Sequence, residues 1–514
     1  MLRAPAIIEN LRARSLQHWL LIMLGIVGVA AIFWKVSPVL TGFAHRVQGY
    51  EFLTQALEIL GDQNPEPDYC VRGGISEASA KGLVHNAIES LEAAQEAMPT
   101  DSKSRLLLGR AHCLSGNFEE AIAGYQAYTE LRPNNPLGHL ELGFAYEALC
   151  AEGYVKASED SSATIAIPSC VAPDLRPKIL TAWQVSGVTE QEFFNAGEEA
   201  REAEDFDEAI TWYGRATALS PKWAEPWQRT GLVYQELGTW DQAAQAFQSA
   251  WQYDPEVNTS NLAIALRKQG NLQIEEEVLR QALETFPNSS NRLIWWQSLG
   301  ENLTLQEKMD QSVNAYQEAI REFPNDQNLH ISLGWAYYES GHGIDAALEE
   351  FKLASLLDDE IGEGYFATAQ LLVQEERYAE ADLWFKKAIE KEPERRGWYI
   401  FRGNAARADA NLLLAIQVYE ELQQFDPNYD PGYYEMAWAY YLLGQSDMAT
   451  ESIEKAIALS ATPKPWYYIR LGLIYEDAGS YDEALRAYHQ AIKLDPENPT
   501  AKQAIERLTD KNTP

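Results

Sequence analysis

Apolar residues along most of the chain recur at spacings of three and four, in segments of about a dozen residues broken by Gly- or Pro-containing turns. That spacing predicts consecutive amphipathic α-helices rather than strands. The turns keep a period. Pro99 and Pro133, Pro221 and Pro255, and Pro393 and Pro427 are each 34 residues apart, and Pro324–Pro393 and Pro427–Pro496 are each 69 apart, two periods with the middle proline replaced. Within a period, Gly116, Gly238, Gly270, Gly341, Gly444 and Gly479 fall between two apolar segments, where a left-handed helix cap is expected. The prolines follow the second segment, where they stop it. One such helix pair cannot bury its apolar face alone, so neighbours must stack into a solenoid.

The same residue types recur at the same places. Trp227-x2-Thr230-Gly231-x2-Tyr234 is followed by Ala243-x3-Phe247, Ala250 and Pro255; Tyr468-x2-Leu471-Gly472-x2-Tyr475 is followed by Ala484-x3-Tyr488, Ala491 and Pro496. His330-x2-Leu333-Gly334-x2-Tyr337 and Trp296-x2-Leu299-Gly300 repeat the first half. This pattern resembles the tetratricopeptide repeat (TPR) family. The resemblance implies an all-α TPR α-solenoid, a right-handed superhelix of about eleven helix pairs over residues 84–498. Ala501, Ile505 and Leu508 then predict a capping helix in 499–514.

The N-terminus follows another pattern. Trp19 to Trp34 (WLLIMLGIVGVAAIFW) carries no charge, and the apolar run continues to Leu40. Twenty-two helical residues span roughly 33 Å, the thickness of a bilayer core, and the two tryptophans stand where interfacial aromatics belong. A single transmembrane anchor over 19–41 is expected. A cleaved signal peptide, with small residues at Gly42-Phe43-Ala44, and a buried helix are the alternatives. Arg3, Arg12 and Arg14 before the run, against Lys35 and Arg46 after it, favour a short cytoplasmic tail over 1–18 and an extracytoplasmic body, in a periplasm, lumen or equivalent. In 42–83, Phe52, Leu53, Ala56, Leu57 and Leu60 predict a membrane-proximal helix before a Pro/Gly loop, either docked on the solenoid or serving as a tether.

Between Pro133 and Pro221 the period breaks. Leu142-Gly143-x2-Tyr146 opens a repeat, Cys150 falls at the expected inter-helix turn, and an insertion at 151–170 follows before a degenerate second helix at Pro177–Val185. A Cys150–Cys170 disulfide that staples the two helices is expected, with Cys70–Cys113 as a second pair; free thiols in a reducing compartment are the alternative.

Composition narrows the function. With 41 Lys+Arg against 76 Asp+Glu, the net charge of −35 excludes a general nucleic-acid binder. The chain has no P-loop, no nucleophile elbow and no H-E-x-x-H, so no enzyme, metal site or cofactor is expected. The scattered histidines include His139 and His330 at the first apolar position of their repeats, where packing is their expected role.

In the TPR family the first helix of each repeat lines a groove through its positions two, five, nine and twelve. In this chain the middle repeats place mostly polar residues there, among them Gln191, Glu198, Arg201 and Gln228. The last five repeats place Ile331, Trp335, Tyr338, Phe366, Gln370, Asn404, Arg407, Tyr434, Trp438, Tyr441, Trp466 and Ile469 there. An apolar strip of that kind marks a binding surface, although aromatics at positions five and twelve are ordinary in the family and tight self-packing of the superhelix would explain the strip equally. Trp335 and Trp438, at position nine, are the more telling anchors. The lysines of the family's carboxylate-gripping variant are missing, so an apolar or aromatic protein segment is the expected ligand, with a glycan stacked on tryptophan as another. The expectation is a membrane-anchored, non-catalytic scaffold for assembling or stabilising an envelope or membrane complex. A cytoplasm-facing adaptor and an accessory subunit of a glycan-processing or secretion system are the rival readings.

Overall fold

The structure, a computed structural model, describes residues 38–59, 70, 78–157, 174–358, 360–462 and 464–511. The basic tail, nearly all of the 19–41 run and Cys170 lie outside the described residues. Among the described residues, no helix is long and apolar enough to cross a membrane.

The chain divides into two compact units at Asn271. The first holds α1 (Pro38–Ile59), α2 (Ala78–Ala97), α3 (Ser102–Ser115), α4 (Phe118–Leu131), α5 (Pro136–Ala157), α6 (Arg176–Ser186), α7 (Glu190–Glu202), α8 (Phe206–Leu219), α9 (Ala224–Glu236), α10 (Trp240–Tyr253) and α11 (Pro255–Lys268). The second holds α12 (Leu272–Thr285), α13 (Arg292–Leu305), α14 (Met309–Glu322), α15 (Gln327–Glu339), α16 (Ile344–Leu357), α17 (Glu363–Gln374), α18 (Tyr378–Lys391), α19 (Arg396–Ala408), α20 (Leu412–Phe425), α21 (Asp430–Leu442), α22 (Ser446–Leu459), α23 (Pro465–Asp477), α24 (Tyr481–Leu494) and α25 (Pro499–Lys511). All 25 described elements are helices.

Small residues let each pair close. A Cβ on Gly472 would meet the Tyr488 ring at 2.5–2.8 Å, and Gly231 and Gly403 stand in the same way against Phe247 and Tyr419. These pairs set a glycine of the first helix against a buried aromatic of the second, with alanines such as Ala243, Ala415 and Ala484 fully buried around it. The expected left-handed turns occur at all six glycines named above.

The joints between pairs repeat a hydrogen bond. The side chain six residues after the proline reaches back to that proline's carbonyl: Arg105 Nη2 to Pro99 (2.8 Å), His139 Nε2 to Pro133 (2.9 Å), Trp227 Nε1 to Pro221 (3.3 Å), His330 Nε2 to Pro324 (3.1 Å) and Tyr433 OH to Pro427 (3.3 Å). A helix leaves its last carbonyls without partners, and the first helix of the next repeat brings a donor into reach of that end. His139 and His330 therefore bond as well as pack.

At the N-terminal end α1 is docked. Leu53, Ala56 and Leu57 are buried, α1 pairs with α2, and Arg46 donates two 2.7 Å bonds to Asp101 at the start of α3. Ala78–Ala97 is consequently the partner of α1, so the register of repeat pairs begins at Ser102 rather than at residue 84. Cys70 is joined to Cys113 of α3, with their Cα atoms 4.6 Å apart.

In the interrupted repeat α5 runs 22 residues, through Cys150 and beyond it. The expected inter-helix turn at Cys150 is corrected: no glycine stands there, and the helix continues. Cys150 is disulfide-bonded. The repeat still closes, because Trp183 of α6 packs against Gly143. It is fastened to the next repeat by the buried Glu147–Arg215 pair, 2.9 Å, with the Arg215 guanidinium over the rings of Phe144 and Trp212.

At the other end Ala501, Ala504 and Leu508 of α25 are buried and cover α24, as a cap should.

Candidate functional site: the first-helix lining of the second unit

In the second unit, α15, α17, α19, α21 and α23 are the first helices of successive pairs. α15 touches α17, α19 touches α21 and α21 touches α23, each also packing on the second helix that precedes it, and Phe366 of α17 stacks on Trp398 of α19. These helices form a continuous lining, and the predicted strip can be followed along it.

On α15, Ile331, Trp335 and Tyr338 are half-buried and packed on the core. The Trp335 ring lies 5.1 Å from that of Phe351, and Tyr338 donates to Glu375 (3.0 Å). Phe366 on α17 turns inward: it is buried, stacked on Trp398 at 5.0 Å and in contact with Phe385 and Phe401. The cause is Gly362, whose missing Cβ leaves room for the Trp398 ring. Phe401, one residue past a predicted groove position, is left 50% exposed in its place. Gln370 is half-buried.

The lining is most structured on α19, α21 and α23. Asn404 Oδ1 accepts from Arg407 Nη2 (2.8 Å) and from the hydroxyl of buried Tyr419 (2.7 Å). Trp438 stacks on Tyr441 at 4.9 Å, and Tyr434 stacks on buried Tyr467 at 4.6 Å. Arg470 lies over both sets, 3.5 Å from the Tyr434 ring centroid and 4.9 Å from that of Trp438. It pairs loosely with Glu435 at 3.9 Å, and Arg407 reaches the same oxygen at 3.4 Å. Burial pushes the Arg470 guanidinium down from its usual range, and Arg407 adds to the effect. Trp466 is 51% exposed at the edge of Tyr467. Ile469 packs under the cap.

Glu435 and Arg470 stand at position six of their helices, outside the groove register, which is why sequence reasoning passed over them. A signal was present nonetheless: an arginine and a glutamate recur on neighbouring first helices amid tyrosines and tryptophans.

The polar lining of the first unit is built on a related bond. Tyr213 of α8, fully buried, donates to Glu198 of α7, which also faces Arg201 and Arg229 at 3.5 Å each. Tyr488 does the same to Glu476 (3.0 Å), so a hydroxyl at the buried aromatic position reaches through to the lining in several repeats. Among the described residues no group of His, Cys, Asp and Glu is placed to hold a metal ion.

Paired helices in register, in many cases closed by glycine against an aromatic and lined by first helices, define a helical-repeat fold. Residues 227–256, 431–463 and 465–498 match the tetratricopeptide repeat and residues 109–149 the TPR repeat; these stretches lie within an all-α series of helix pairs. It is similar to tetratricopeptide repeat-containing protein trd-1 of Caenorhabditis elegans, 25% identical over 190 residues covering 36% of this chain and 23% of that protein. It is also similar to TPR repeat-containing protein YpiA of Bacillus subtilis, 22% identical over 231 residues covering 43% and 52%. Among solved structures, a tetratricopeptide repeat protein from Parabacteroides merdae is 18% identical, covering 49% of this chain and 98% of that one with a TM-score of 0.34. The chain spans about half or less of the length of these curated relatives.

Proposed function

We propose that this protein is a non-catalytic scaffold that holds a protein partner on the first-helix lining of residues 327–476. The observation that carries the reading is the aromatic surface left open there: Phe401 on α19 and Trp466 on α23 are half exposed, and Trp438 and Tyr441 stack on α21 between those helices in sequence. Tryptophan and tyrosine in such settings supply large contact area at low entropic cost. The reading includes an anchor at residues 19–41, a cytoplasmic N-terminus and an extracytoplasmic body that serves an envelope or membrane complex. Oxidised Cys70, Cys113 and Cys150 support that placement, because disulfides persist where the compartment is oxidising. Confinement to a membrane would raise the solenoid's local concentration near membrane partners.

In-cell crosslinking of the full-length protein tests the scaffold. Crosslinks from one partner converging on 327–476, and lost in Trp438→Ala with Trp466→Ala, are expected. Reproducible crosslinking with no protein partner, or glycan binding that depends on the same two tryptophans, would replace it. Protease accessibility in intact cells tests the placement of the body separately.

A further inference from the structure

The lining of the second unit carries an imbalance of charge at one point. Arg407 of α19, Glu435 of α21 and Arg470 of α23 come from the first helices of three successive repeats, yet they meet. Two guanidinium groups share one carboxylate, at 3.4 and 3.9 Å, and Glu435 Oε2 makes no hydrogen bond. Nearby carboxylates are hydrogen-bonded: Glu476 accepts from Arg507 and Tyr488, and Asp430 from Lys464 and Tyr467. In a chain of net charge −35 this notch has a local excess of one positive charge.

Its surroundings define what would fill it. Arg470 rests on the rings of Tyr434 and Trp438, and its Nη1 donates to the Tyr434 carbonyl (2.8 Å), so the guanidinium is held in place before anything binds. Arg407 is held by Asn404, which buried Tyr419 fixes in turn. Planar guanidinium groups held in this way suit a carboxylate. Each arginine-bearing helix also carries a half-exposed aromatic, Phe401 with Arg407 on α19 and Trp466 with Arg470 on α23. A ligand would continue past the notch in both directions.

We propose that Arg407 and Arg470 receive one side-chain carboxylate carried within an aromatic-rich segment of the partner, its aromatic residues lying against Trp438 and Trp466. The proposal names the partner chemistry of the scaffold reading above and rests on it. A terminal carboxylate is the alternative source, and the continuous aromatic lining argues against a chain end at this point.

The test uses full-length protein and fluorescein-labelled, C-terminally amidated peptides with one glutamate between tryptophan and leucine, compared with the glutamine counterpart by anisotropy. The glutamate peptide is expected to bind about tenfold more tightly, one charge-assisted hydrogen bond's worth, with the ratio falling as salt rises. Arg407→Gln and Arg470→Gln should each reduce the ratio towards one, while Glu435→Gln, which leaves both arginines short of a carboxylate, should raise it. Thermal melting checks that the variants fold; if Arg470→Gln does not, Arg407→Gln alone decides. Equal binding of the two amidated peptides, or a ratio that survives Arg407→Gln, overturns the proposal. So does tight binding of the glutamine peptide with a free carboxyl terminus where neither amidated peptide binds. Crosslinks on 327–476 without any charge preference would leave the scaffold standing and overturn this inference alone.

Discussion

Among the described residues, four inter-helix turns adopt the left-handed conformation without glycine: Glu204, Glu307, Glu376 and Ala410 have φ of 57–61°. A Cβ makes that conformation cost about 1–2 kcal/mol, which stacking of neighbouring repeats offsets. Ala410→Gly is therefore expected to stabilise the protein by about 1 kcal/mol, read as a higher Tm. The reverse holds inside the pairs. Gly472→Ala would force a Cβ into the Tyr488 ring and is expected to destabilise by about 1–3 kcal/mol. Gly397→Ala, with open space around it, should be neutral or slightly stabilising in the same melt. His330 carries the pH dependence of its joint. It is buried, with Nδ1 2.7 Å from Glu350 and Nε2 bonded to the Pro324 carbonyl, and the Glu350 hydrogen bond above all, with Asp326 adding charge, raises its pKa above the ordinary 6.5. A raised pKa means that the folded protein holds the proton more tightly. The stabilisation is fully present below pH 6.5 and is lost as pH rises through the folded value. In chemical denaturation the advantage of wild type over Glu350→Gln should shrink from about pH 6 to pH 9; an advantage constant with pH would show that the histidine is neutral.

At the level of helices, the N-terminal pair shows what apolar spacing can and cannot reveal. Phe52, Leu53, Ala56 and Leu57 identify a helix, but a stripe looks the same whether it docks or tethers. Docking is decided by Gly42 and Gly49, which admit Met98 and Leu91, and by the Arg46–Asp101 pair. The Cys70–Cys113 bridge then ties the α1–α2 connection to α3 across 43 residues. Cys70→Ser with Cys113→Ser is expected to cost on the order of 4 kcal/mol. Hydrogen exchange should quicken in α1–α3 while α15–α25 keep their protection; a uniform rise would show that the bridge does not act locally. The cap is an easier case, because α25 has an apolar face of Ala501, Ala504 and Leu508 beside polar Lys502, Gln503 and Glu506, and that pattern is written within one helix.

For the molecule as a whole, a charge of −35 spread over stacked helices repels itself. Raising the salt from about 10 mM to 150 mM screens that repulsion and is expected to lift Tm by a few degrees. Ion pairs such as Arg110–Glu141 and Arg215–Glu147 are buried and lose little by the same screening. A fall in Tm would place exposed ion pairs above net repulsion.

The 34-residue period, the two helices of each repeat, their glycine turns, the cap and the aromatic character of the last five first helices were all determined by the sequence. Each is set by neighbours three, four or one period away, and helix geometry converts those spacings directly into faces. Only the tertiary structure decided that Phe366 turns into the core while Phe401 stays out, that α5 runs through Cys150, and that Arg407, Glu435 and Arg470 meet on the lining. Those outcomes depend on how closely one helix packs on another. That closeness is set by single missing or added side-chain atoms, as at Gly362, and by contacts between helices that no periodicity within one helix records.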